Sequence, residues 1–260
     1  MPAAKIPVFP SDKLYCCECP DYCINPLLFK TFLPLKPSSC RFIAVPAYGM
    51  IIDTIMEHTK TMRRFSEACE RNQGPILDVI KQYLTHSSEV LEVGSGTGQH
   101  AVWFAGAMPH LTWHTSDLPE NHGSIIAWLE ASELPNIRKP RTLNVGQRVW
   151  PVNQVDAVFT ANTCHIMSWD RVKDLFDGAS RVIKPGGYLL IYGPFNVNGN
   201  YTSESNQEFD AFLKDKDPES GIRDYDDMNR AARHNGFQLV ERHEMPANNM
   251  LLAYQKSSSF

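Results

Sequence analysis

The 260-residue chain carries 25 Lys and Arg against 29 Asp and Glu, a net charge of −4. This is the size of one ordinary domain with something added, and the charge balance excludes a surface built to coat nucleic acid. No apolar run reaches the roughly 18 residues that a membrane helix needs. No apolar leader or arginine-rich segment opens the chain, so the expected compartment is the cytosol, with the cysteines as reduced thiols.

Residues 1–60 read as an extension, poorly ordered and broken by proline. Eight of the 18 prolines and five of the seven cysteines precede Ala47. The dense part is Cys16-Cys17-Glu18-Cys19-Pro20-Asp21-Tyr22-Cys23. It lacks the two regularly separated ligand pairs of a structural zinc site, so no metal is expected. Residues 43–56 are apolar enough for a short docking helix, which leaves a protein partner open.

A regular domain is expected over residues 61–260. Residues 65–72 precede Gly74-Pro75, read as a loop residue followed by proline at a helix's first position. Ile76, Leu77, Ile80 and Leu84 then recur at helical spacing. Residues 89–93 read as the first strand, 99–108 as the first crossover helix, and 111–115 as the second strand. A third short strand is expected at 142–145 and a fourth at 155–160. Residues 170–183 read as a helix ending in the Lys184-Pro185-Gly186-Gly187 turn, with a fifth strand at 188–192. Such alternation implies an α/β fold, a doubly wound, mostly parallel sheet with helices on both faces. Residues 193–224 break the rhythm, with a short helix around 206–213. A detour of that length is usually functional, and it is expected to be a lid. A helix at 226–234 and a terminal β-hairpin around Met245-Pro246-Ala247-Asn248-Asn249 close the chain.

The stretch Val90-Leu91-Glu92-Val93-Gly94-Ser95-Gly96-Thr97-Gly98-Gln99-His100 is the first strand–turn–helix of a nucleotide-type domain. A dinucleotide fingerprint would place its third glycine at position 99; here it is Gly98. That spacing, with Glu92 ahead of it, suits S-adenosyl-L-methionine better than NAD, because this cofactor has no pyrophosphate to set on a helix N-terminus. Ligands of parallel sheets sit beyond the carboxyl ends of the strands. The expected cofactor contacts there are Gly94, Ser95, Gly96 and Gly98, then Asp117 for the ribose hydroxyls, Asn144 and Val145 for adenine, and Asn162. Just past strand four, His165 is the candidate base. Tyr192 and Tyr201 are weaker candidates, and Tyr192, Tyr201, Arg223, Asn248 and Asn249 are expected around the acceptor.

From about residue 66 to 256 the chain resembles the family of small class I methyltransferase-like proteins that includes methyltransferase-like protein 26. The likeness is carried by Glu70-Arg71-Asn72 with Pro75-Ile76-Leu77, by residues 90–100, Ser116-Asp117, Lys184-Pro185-Gly186-Gly187 and Tyr192-Gly193-Pro194. Gly221-Ile222-Arg223-Asp224 and the Met245 to Asn249 turn complete it. The resemblance implies a Rossmann-like, seven-stranded sheet with strand seven antiparallel, and S-adenosylmethionine as cofactor. It places Arg71 and Asn72 on the cofactor side, Arg71 facing either the cofactor's carboxylate or Glu92. It implies no substrate. Asn144 stands where the family commonly has aspartate, and residues 1–60 have no counterpart there.

These readings lead to methyl transfer onto a small-molecule acceptor. The strand-four end, Ala161-Asn162-Thr163-Cys164-His165, lacks the Asn/Asp-Pro-Pro-aromatic pattern of amino-directed nucleic-acid methyltransferases. The alternative is a non-catalytic binding or scaffold protein that keeps the fold.

Overall fold

The computed structural model describes residues 63–258. The cysteine-rich extension and the helix expected at 43–56 lie outside the described residues. Helix α1 (Glu67–Leu84) is capped by Ser66, whose hydroxyl accepts from Cys69 N. It runs straight through Gly74 and Pro75, which corrects the expected break at that pair. A proline inside a helix costs about 3 kcal/mol. Here the buried stripe of Ile76, Ile80 and Leu84 offsets that cost by packing on the sheet.

The remaining elements follow in order: β1 (Glu89–Val93), α2 (Gln99–Ala107), β2 (Thr112–Asp117), α3 (Pro119–Ser132), β3 (Ile137–Thr142), β4 (Val155–Ala161), α4 (Trp169–Val182) and β5 (Ile183–Gly193). After these come β6 (Phe195–Asn196), α5 (Glu204–Lys216), β7 (Arg223–Asp224), α6 (Tyr225–His234), β8 (Phe237–Met245) and β9 (Asn249–Lys256). The main sheet has seven strands in the order β3-β2-β1-β4-β5-β9-β8. Strand β9 is antiparallel to β5 and to β8; the rest pair in parallel. This is the class I methyltransferase fold, with the expected terminal hairpin and the antiparallel seventh strand.

Three boundaries differ from the sequence reading. Strand β3 sits at 137–142, not 142–145. It is an edge strand, where Pro140 loses no ladder bond and apolar alternation is not required. The Lys184 to Gly187 turn lies inside β5 as a bulge: Val155 pairs with Ile183, then Ala157 with Tyr188. Only glycine fits at 187, where a Cβ would fall 2.3 Å from the Asp156 carbonyl. Within 193–224, α5 is longer than the expected 206–213 helix, capped by Ser203, and β6 and β7 pair as a small parallel sheet.

Side chains alternate between two cores, one on each face of the sheet. Leu91, Val93 and Val158 pack toward α4 and α6. Val90, Trp113 and Phe159 pack toward α1, α2 and α3. The second core centres on Phe104, whose ring lies 5.6 Å from Trp113 and 5.4 Å from Phe159. Phe104→Ala should therefore cost about 3–5 kcal/mol, read as a lowered urea midpoint at unchanged slope; a loss under 1 kcal/mol would mean that the aromatic cluster does not carry this face.

Candidate functional site

The glycine loop after β1 is built against the end of β2. Gly94 N and Ser95 N both donate to Ser116 O at 3.0 Å, and Gly96 N donates to Asp117 Oδ2 at 2.7 Å. Asp117 Oδ1 accepts from Leu118 N and from Asn121 Nδ2, each at 2.7 Å. Gly94, Gly96 and Gly98 have φ of +73°, +59° and +96°, a backbone that side chains resist. A Cβ at Gly94 would meet Thr163 Cγ2 at 2.6 Å, and one at Gly98 would meet the α3 backbone at 2.9 Å.

Glu92 lies under this loop, buried, with Oε2 accepting from Ser95 Oγ at 2.9 Å and from Trp113 Nε1 at 3.1 Å. Burial pushes its carboxyl up to about 7, against those two hydrogen bonds.

A cavity of about 250 Å³ opens beside the loop at the carboxyl ends of β1, β2, β3 and β4. Gly94, Asp117, Asn144, Val145 and Thr163 line it. It is smaller than the roughly 300–1,000 Å³ common for drug-sized ligands and suits a nucleoside-sized group. Asn144 also closes an Asx turn, accepting from Gly146 N at 3.1 Å. A larger groove of about 580 Å³ between α1, α2 and α3 contains none of the expected residues and lies away from the strand ends. The strand-end cavity is the candidate site, because parallel sheets bind ligands there.

On the far side of β4, Asn162 takes φ +58° and its N–H donates to Tyr192 O at 2.9 Å. Thr160 Oγ1 donates to Val93 O at 2.8 Å and shares a 2.6 Å hydrogen bond with Thr163 Oγ1, locking the β4 end to the β1 end. His165 is 6% exposed, its ring edge-on to Phe209 at 5.3 Å. Gly193 is buried, and a notional Cβ there would make ordinary van der Waals contact with His165 Nδ1 at 3.7 Å and Asn162 Oδ1 at 4.0 Å, so both side chains lie against this glycine. Burial, then the charge of Arg223, holds the His165 imidazole down at about 4.

The other expected residues are placed as follows. Asn72 Oδ1 bonds the His100 ring at 2.7 Å and faces the buried Tyr192 phenol, linking α1, α2 and β5. Burial holds His100 at about 4, so it is a neutral strut. Arg71 is corrected: its side chain is 70% exposed and pairs with Glu67, one turn back, not with Glu92. Tyr201 and Arg223, expected around the acceptor, have their polar groups bonded within the protein. Tyr201 donates to Asp210 at 2.7 Å, and Arg223 donates to three backbone carbonyls. Asn249 Nδ2 closes its own hairpin turn onto Pro246 O, and Asn248 O accepts from Asn206 of α5. Sequence reasoning missed Leu118, Leu143, Ile166 and Met167 as cavity walls. Their only signal is adjacency to a named polar residue, because apolar wall residues look like core. Among the described residues, no group of three or more His, Cys, Asp or Glu could hold a metal ion. No described helix is long and apolar enough to cross a membrane.

Residues 63–256 match the family described as "Protein of unknown function (DUF938)", and the chain belongs to that family. Solved structures of similar fold include an O-methyltransferase family protein from Burkholderia thailandensis (TM-score 0.66, 19% identity, 75% of this chain and 59% of that one). Another is an O-methyltransferase family 2 protein from Planctomyces limnophilus in complex with apigenin (TM-score 0.63, 16% identity, 71% and 56%). A third is human N-acetylserotonin methyltransferase in complex with S-adenosylmethionine (TM-score 0.56, 14% identity, 81% and 66%). In each case this chain spans less than two-thirds of the neighbour's length.

Glu92 makes stability depend on pH in a defined direction. The folded carboxyl keeps its proton up to about pH 7, whereas the unfolded one loses it near 4.5. Its contribution therefore falls as pH rises between those values, by about 3 kcal/mol in all, and is flat above. Glu92→Gln keeps the acceptor oxygen and removes the titration. Its urea midpoint should exceed the parent's at pH 8 and converge with it at pH 5; parallel curves would exclude a protonated Glu92.

Proposed function

We propose that this chain binds S-adenosyl-L-methionine in the strand-end cavity and transfers its methyl group to a small-molecule acceptor beside Gly193. The observation that carries the reading is the meeting of two features on one rim. A glycine loop with Asp117 lies beside the cavity, and the His165 and Asn162 side chains converge on Gly193 just past the end of β4. The residues present fit the cofactor: Asp117 for the ribose hydroxyls, Asn144 and Val145 for adenine, and Gly94, Ser95, Gly96 and Gly98 for close backbone approach. Glu92 and Asn72 flank the methionine end, and Asn162 stands between cofactor and acceptor. The fold neighbours that carry S-adenosylmethionine or apigenin lend the reading support by analogy. The family-specific motifs further support kinship with methyltransferase-like protein 26.

When bound, the cofactor supplies a methyl group already activated by its sulfonium. The protein's task is then to hold an acceptor atom in line and to remove its proton. His165 Nδ1 faces Gly193 and is neutral above about pH 5, so its lone pair is available. A ring held this low is a weak base. It therefore suits an acceptor whose proton is already labile, a phenol or thiol, rather than an aliphatic alcohol. Arg223 has its guanidinium bound to backbone carbonyls. The 193–224 insert and the hairpin turn are read as the remaining walls around the acceptor.

Titration calorimetry should show binding of S-adenosylmethionine and of its demethylated product. A metabolite extract supplied with methyl-labelled cofactor should yield a labelled phenol or thiol ether. His165→Ala should slow that transfer about 10²-fold or more and change cofactor affinity less than threefold. No binding of either cofactor form would favour a scaffold that keeps the fold, and equal losses of binding and transfer would remove His165 as the base.

A further inference from the structure

The loop between β4 and α4 that carries His165 has four successive carbonyls bonded to one distant stretch. Arg223 Nε donates to Cys164 O at 3.0 Å, Gly221 N to His165 O at 2.8 Å, and Ser220 Oγ to Ile166 O at 3.1 Å. Arg223 Nη2 donates to Met167 O, and also to Glu219 O at 2.7 Å within its own stretch. Behind this stretch stands Asp210 of α5, 1% exposed, which accepts from Ile222 N and Lys214 Nζ at 2.6 Å and from the Tyr201 hydroxyl at 2.7 Å. Gly221 has φ +151°, and a Cβ there would fall 2.9 Å from Asp210 Oδ1. The insert is thus bolted to its own helix on one side and to the His165 loop on the other.

Arg223 is an expensive way to hold a loop. Among the described residues it forms no ion pair, and its guanidinium is half-buried against carbonyl oxygens alone. A half-buried cation without a carboxylate partner is poor stabilisation, but a planar fork with fixed donor directions spans two carbonyls of one loop in a single geometry. The reward is placement: the bridged residues, Cys164 and Met167, bracket His165.

We propose that Arg223, with Ser220 and Gly221, is the positioning element of the site, setting the His165 ring against Gly193 and tying the 193–224 insert to the reacting end. It rests on the reading of His165 as the group that faces the acceptor. Arg223 is a positioning residue, because it reaches the reacting region only through the loop and through its charge. That charge is the one acting on the His165 ring, whereas Asp210, Asp217 and the Cys164 thiol act on Arg223 itself. The same arrangement holds the ring neutral and aims it.

The test is NMR titration of the histidine C2–H signals in the full chain from about pH 3 to 8, with His165→Gln identifying the His165 signal. In the parent that signal should stay that of a neutral ring down to about pH 5. Arg223→Gln should raise its midpoint by about one unit and change its chemical shift. Arg223→Lys should restore most of the midpoint but not the shift, since lysine keeps the charge and loses the two-carbonyl bridge. S-adenosylmethionine affinity by calorimetry should stay within about twofold in both. An Arg223→Gln protein with the parent's midpoint and shift would overturn the proposal. So would loss of cofactor binding in that variant alone, which would assign the stretch to the cofactor cavity. If Arg223→Gln does not fold, Ser220→Ala removes the Ile166 contact together with a weaker bond to Asp217 at 3.4 Å, and an unmoved His165 signal there would overturn the proposal equally. Failure of the methyl-transfer reading shows separately, as absent cofactor binding by the parent chain, and failure of the His165 role shows as full transfer by His165→Ala; neither alters what the titration reports.

Discussion

The site depends on the end of β2. Ser116 O takes the N–H groups of Gly94 and Ser95, and Asp117 takes that of Gly96, so the glycine loop is held from outside itself. The same carboxylate takes Leu118 N and Asn121 at the start of α3. One aspartate therefore joins the turn after β1 to the turn after β2, and the cavity lies in the angle between them. Because the N–H groups of Gly94, Ser95 and Gly96 are spent on protein, the loop offers a ligand close backbone approach and not a nest of free N–H groups. That separates it from a phosphate-cradling helix N-terminus. Helix α2 fits the same logic: its N-cap is Gly98, which supplies no side-chain cap.

Across β4 the organisation is different. The two sides of the Gly193 region are set by contacts distant in sequence, with Asn72, His100 and Tyr192 under one side and the Ser220 to Arg223 stretch under the other. Both use buried polar groups that have found partners, which rigidifies a site more than apolar packing alone. The insert is thus ordered architecture. Its helix α5 meets the hairpin turn through Asn206 and Asn248, and reaches the His165 ring through Phe209.

How much of this was legible follows from the physics of each piece. The parallel core was readable because β1, β4 and β5 are buried on both faces and appear as continuous apolar runs between helical patterns. Strand β3 was misplaced because an edge strand such as Ile137-Arg138-Lys139-Pro140-Arg141-Thr142 carries no such signal. Helix α1 was read as interrupted because Gly74-Pro75 is a local stop signal that tertiary packing of Ile76, Ile80 and Leu84 overrides. The glycine loop, Asp117, Asn144 and Val145 were legible as a set, because strand order alone brings strand ends together at one rim. The internal bonds of Arg71, Tyr201 and Arg223 were not legible, because residue type cannot say whether a polar group is already bonded to its own protein.

By itself the sequence determined the α/β class, the mostly parallel sheet with a terminal hairpin, and the strand ends at which ligands of such sheets are expected. These follow from local periodicity, glycine spacing and the handedness of crossovers, all carried by neighbouring residues. The count of seven strands was implied by the family resemblance. Only the tertiary structure decided which polar side chains face Gly193 and which are bound elsewhere inside the protein. That choice depends on hydrogen bonds such as Arg223 to Cys164 and Tyr201 to Asp210, and on the burial that pushes Glu92 up and His165 down. Burial and long-range pairing are properties of the packed chain, and no window of sequence contains them.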